Sequence, residues 1–114
     1  MYYKRNEPFR YTFGTPLLGR IQPLHPKGNP FEMKILDLSQ HGLKIELQQN
    51  SEWSKETTVQ VRFSLLDEEY AAEGTIKWLK SYGSTKQYGI DLDTSEDWRK
   101  SLINALKSIA RQQL

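Results

Sequence analysis

Asp37-Leu38-Ser39-Gln40-His41-Gly42-Leu43-Lys44-Ile45-Glu46-Leu47 runs from a turn into a strand, and the rest of the chain follows from it. Leu43, Ile45 and Leu47 alternate with Lys44 and Glu46. Successive side chains of a strand point to opposite faces, so this stretch buries one face and wets the other. Ahead of it, Ser39 to Gly42 has turn chemistry. Asp37 and Ser39 can bond nearby backbone N–H groups, and Gly42 can take a positive φ that other residues resist. Glu32 to Leu38 supplies a strand on the far side of the turn.

The alternation recurs in both directions. Val59, Val61, Phe63 and Leu65 alternate with Gln60, Arg62 and Ser64; Tyr88, Ile90 and Leu92 alternate with Gly89 and Asp91. Weaker patterns predict a strand near Phe9 to Ile21 and another near Glu69 to Lys80, in which Ala72, Gly74, Ile76 and Trp78 share a face. On that alternation Trp78 is expected in the core and outside any site. Turn residues separate these runs: Pro23 to Pro30, Gln49 to Lys55, Asp67-Glu68, and Ser81 to Thr85. Six short-linked strands in so small a chain leave exposed edges unless the sheet closes. The expected fold is therefore mostly β, a six-stranded antiparallel β-barrel.

From residue 94 onward the period changes. Trp98, Leu102, Ala105, Leu106 and Ile109 recur at three- and four-residue spacing, with Arg99, Lys100, Asn104, Lys107 and Arg111 between them. This predicts an amphipathic C-terminal α-helix packed on the barrel, capped by Thr94 or Ser95. Glu96 and Asp97 suit the positive end of its dipole, and Lys107 and Arg111 the negative end.

A chain of 114 residues fits one domain. Its parts are a basic N-terminal segment (1–10), a barrel (11–93) and a helix (94–114). No apolar run approaches the ~20 residues needed to cross a bilayer, and the amino end lacks a signal-peptide apolar stretch, so a cytoplasmic protein with no membrane insertion is expected. There is no cysteine, and His25 and His41 stand alone, which argues against a metal or redox centre. No nucleophile motif or glycine-rich phosphate loop is present, so no enzyme is expected. The net charge of +2 is too small to suggest a nucleic-acid polymer as partner. Its distribution is more informative. Lys4, Arg5 and Arg10 face only Glu7 at the amino end, a segment that draws an anionic partner.

Asp37, Ser39 and Gly42 fit the D-x-S-x-x-G motif of PilZ domains, which follows an N-terminal R-x-x-x-R motif in that family. Gly74-Thr75-Ile76-Lys77-Trp78 followed by Tyr88-Gly89-Ile90-Asp91-Leu92 resembles the paired late strands of PilZ domains, and the terminal helix fits as well. The resemblance covers nearly the whole chain and implies a receptor for cyclic di-GMP that signals through a protein partner, with no cofactor. The implied ligand-binding residues are Arg5, Asn6, Arg10, Asp37, Ser39 and Gly42. The amino-terminal motif departs from the family pattern: four positions before Arg10 stands Asn6, and Arg5 lies one residue further out. Arg5 is expected to substitute for the missing arginine. A PilZ-like adaptor that binds no nucleotide is the alternative, and Asn6 is its support.

The chemistry suits the ligand. An arginine fork can pair with guanine O6 and N7, bond phosphate or stack on a base. Asp37 could accept from guanine N1–H and N2–H, Ser39 could bond a base edge or phosphate, and Gly42 could allow close backbone approach. Residues 1–10 would act as a clamp over the ligand.

Overall fold

The computed structural model describes residues 10–48 and 53–112. Six strands and one helix follow in chain order: β1 (Arg10–Pro23), β2 (Phe31–Ser39), β3 (Gly42–Gln48), β4 (Thr58–Leu65), β5 (Glu68–Tyr82), β6 (Thr85–Asp93) and α1 (Glu96–Gln112). All strand pairs are antiparallel, and they close into a barrel in the order β1-β2-β3-β6-β5-β4. Closure removes the exposed edges, as the number of strands required.

The alternating residues fill the interior. Ile21, Ile35, Leu38, Ile45, Val59, Val61, Ile76 and Tyr88 are wholly buried, one or two from each strand. Helix α1 adds Leu102 and Leu106, also wholly buried. Burying a side chain of this size contributes about 1.5–3 kcal/mol, so the helix is an integral part of the core. Its start is fixed twice. Ser95 is the cap, its Oγ accepting from the Trp98 backbone N–H at 3.1 Å. Trp98 then sets its ring edge-on against Phe63 and Tyr70, which are stacked on each other 5.5 Å apart. The Tyr70 hydroxyl donates to the Ser101 carbonyl at 3.3 Å, tying β5 to the helix.

Two turns differ in detail from the sequence expectation. The β4–β5 turn is centred on Leu66 and Asp67, with φ of 50° and 64°, and Glu68 already pairs with Leu65. Two successive positive φ values give the twist that a tight hairpin needs, here without glycine. Gly42 does not take a positive φ; among the described glycines only Gly83 does, at 58°, in the β5–β6 turn. Gly42 is required for another reason. A Cβ there would meet the Ile90 carbonyl oxygen of β6 at 2.7 Å.

Breaks in the strand period matter most for the site. The β2–β3 register shifts between Ile35 and Asp37, and the β5–β6 register shifts between Ile76 and Trp78. A bulge inserts one residue and reverses which side chains face inward beyond it. Past Leu36 the buried apolar residue is Leu38 and Asp37 turns to the outer face. Past Lys77, Leu79 packs towards the core and Trp78 turns outward, where it is 40% exposed. The expected core position of Trp78 is therefore corrected: strict alternation from Ile76 does not survive the bulge.

Candidate functional site

Cross-strand pairing carries one row of outer-face residues around the barrel. Asp37 lies opposite Lys44, Lys44 opposite Gly89, and Gly89 opposite Trp78. Three strand spacings separate the ends of this row, about 14 Å. Beside it, Gly42 lies opposite Asp91, and Arg10 opposite Ser39. Together with Leu43, Lys77 and Ile90, these residues line an open cleft of about 240 Å³ on the outside of the barrel.

Arg10 enters the cleft from the start of β1. Its Nη1 donates to Asp37 Oδ1 at 2.7 Å, a charge-assisted bond, while Lys44 Nζ stands 3.8 Å from the other carboxylate oxygen. The Asp37 side chain is only 10% exposed and that of Arg10 is 41% exposed. The carboxylate therefore orients the guanidinium, and the exposed part of the fork remains free to meet a ligand. Asp37 finds its partners across strands, not in the backbone N–H groups of its own turn.

Ser39 is wholly buried, and its Oγ donates to the Gly42 carbonyl at 3.3 Å. That bond spans the β2–β3 turn and holds Gly42 against β6. Trp78 closes the opposite end of the cleft, with its indole over the missing side chain of Gly89; a Cβ on Gly89 would run into the indole Nε1, Cε2 and Cδ1. Lys77 is engaged by Glu56 at 3.5 Å. Asp91, one of the polar residues in the alternation of the last strand, sits on the cleft wall as a carboxylate with no ion pair among the described residues.

Of the residues expected in the site, Arg10, Asp37, Ser39 and Gly42 come together in this cleft. Arg5 and Asn6 lie outside the described residues. Trp78, Gly89, Lys44 and Asp91 line the cleft without having been expected there. A signal for Trp78 existed: Trp78 and Leu79 are adjacent bulky apolar residues, and two such neighbours in a half-buried strand mark a break in the period.

The family model described as PilZ domain matches residues 3–108. The chain belongs to the PilZ domain family. Its fold matches the Escherichia coli structure "PilZ domain with c-di-GMP of YcgR" with a TM-score of 0.77 at 12% identity, covering 97% of this chain and 95% of that one. The structure of a K. pneumonia MrkH-c-di-GMP complex matches with a TM-score of 0.76 at 13% identity, covering 100% of this chain and 57% of that one. Bacillus subtilis MotI/DgrA, an inhibitor of motility, gives 0.74 at 12% identity, with 98% and 52% covered. This PilZ chain thus spans about half the length of the MrkH and MotI chains. A search of curated protein sequences finds no match. Among the described residues no helix is long and apolar enough to cross a membrane, and no group of three or more His, Asp or Glu side chains is placed to hold a metal ion.

Proposed function

We propose that this PilZ domain is a cyclic di-GMP receptor that performs no chemistry on its ligand and acts through a ligand-dependent contact with a protein partner. The observation that carries this reading is the single outer-face row joining the Arg10–Asp37 ion pair, Lys44 and the exposed Trp78 over Gly89. It offers what a dianionic dinucleotide needs. Arg10 supplies a fork for phosphate or for guanine O6 and N7, Lys44 adds a point charge, and Trp78 gives a flat surface for a base. Asp37 and Asp91 offer acceptors for guanine N1–H and N2–H. Ser39 and Gly42 set the backbone of the cleft wall, and Arg5 supplies the second guanidinium in place of Asn6.

Support for the ligand class comes from the family and from c-di-GMP complexes of YcgR and MrkH, which share the fold. Isothermal titration of the full chain with cyclic di-GMP, against GTP and cyclic GMP, tests the reading. Binding in the micromolar range is expected, about −8 kcal/mol. No heat at high ligand concentration, with no response in an NMR titration, would leave the nucleotide-free adaptor as the better description.

A further inference from the structure

Past the bulge at Lys77, strand period places Trp78, Lys80 and Tyr82 on one face of β5, running away from the cleft to the tip of the β5–β6 hairpin. Trp78 is 40% and Tyr82 48% exposed, half of the four large exposed hydrophobics among the described residues. Lys80 stands between them and has no ion pair among the described residues. Residues 75–90, the outer part of the hairpin, contain Lys77, Lys80 and Lys86 and no Asp or Glu. Glu46, on the neighbouring β3, is one carboxylate in the same cross-strand row, separated from Lys80 by Gln87 and held by a 3.0 Å bond from the Thr85 hydroxyl. Gly83, with its φ of 58°, makes the turn tight enough to hold the aromatic face to the hairpin tip.

We infer that this face is a docking surface for an acidic, extended segment of a protein partner. Exposed Trp and Tyr are the side chains enriched at interface cores, and a lysine between them selects for an acidic partner. Trp78 and Tyr82 are four strand residues apart, about 13 Å, with Lys80 midway. An extended segment has the same period, so two apolar side chains four positions apart would cover the rings while an acidic side chain midway between them meets Lys80. A single-stranded nucleic acid is the lesser fit, because the cations are lysines without an arginine fork and the cleft-side lysine, Lys77, is already paired with Glu56. Trp78 belongs to both the cleft and this face. On the nucleotide-binding reading above, cyclic di-GMP stacked on Trp78 denies that ring to the partner, so the nucleotide weakens docking, and by linkage the partner weakens nucleotide binding by the same factor.

Heteronuclear NMR titration of the full chain with a synthetic peptide repeating Leu-Ser-Glu-Ser, and in parallel with oligothymidylate, tests this. Peptide-induced shifts should centre on residues 77–86, including the Trp78 indole N–H. Lys80→Glu should weaken the peptide by at least about tenfold, through like-charge repulsion, and Tyr82→Ala should weaken it too. Neither residue lines the cleft, so both variants should bind cyclic di-GMP as the parent does. Peptide shifts elsewhere, no shifts, or tighter binding of oligothymidylate overturns the docking surface. Peptide binding at the hairpin with no nucleotide binding would sustain the surface and sink the receptor reading. Independent binding of both would sustain each site and overturn their sharing of Trp78.

Discussion

Replacing Gly89 with alanine isolates the role of Trp78 without touching its chemistry. The three atoms nearest an added Cβ all belong to the Trp78 indole, and none is backbone. The first obstruction is therefore the indole, which must swing away from β6. Trp78 is already 40% exposed, so the relocation forfeits only the part of its burial made against β6. Its cost is about 0.5–1.5 kcal/mol if the new rotamer is strained. Alanine offsets part of that by restricting the unfolded chain, by about 0.4–1 kcal/mol. The melting temperature should therefore move by less than about 4–8 °C. Binding should change far more. An aromatic platform contributes about 1–3 kcal/mol per stacked base, so displacing the indole should raise the Kd for cyclic di-GMP roughly 5- to 150-fold. Isothermal titration of Gly89→Ala, Trp78→Ala and the double variant, with thermal melts of each, gives the answer. The two changes should not add, since both remove one platform. If Gly89→Ala weakens binding equally in the Trp78→Ala background, the glycine acts by admitting the ligand to its own backbone and the argument fails.

Arg10→Ala should cost about 1–3 kcal/mol of cyclic di-GMP affinity by titration, with at most about 1 kcal/mol lost in denaturant melts, because its ion pair with Asp37 is half exposed on the arginine side. Asn6→Arg, which restores the R-x-x-x-R spacing to Arg10, should tighten binding in the same assay; an unchanged Kd would remove residue 6 from the site. Ser39→Ala should lower stability by about 1 kcal/mol, through loss of the bond to Gly42, and weaken the nucleotide too; unchanged affinity would reduce Ser39 to a turn residue. Leu102→Ala should destabilise the barrel by about 2–5 kcal/mol in urea melts, and a loss below about 1 kcal/mol would show that α1 is not part of the core.

The sequence by itself determined the six strands, the terminal helix and the family. Residues such as Val59, Val61, Phe63 and Leu65 sort to one face by period alone, and Trp98, Leu102 and Leu106 announce a helix by theirs. The D-x-S-x-x-G turn likewise pointed to Asp37, Ser39 and Gly42, which do line one cleft. Tertiary structure decided what those residues do. Gly42 serves the close approach of β6, whose carbonyl lies on a strand far along the chain, so local turn chemistry could not reveal it. Asp37 meets Arg10 and Lys44 because pairing brings three strands together. Trp78 moved from core to cleft because one bulge at Lys77 inverts the inside and outside of everything after it, and a bulge is fixed by the register between two strands, a property that neither strand possesses alone.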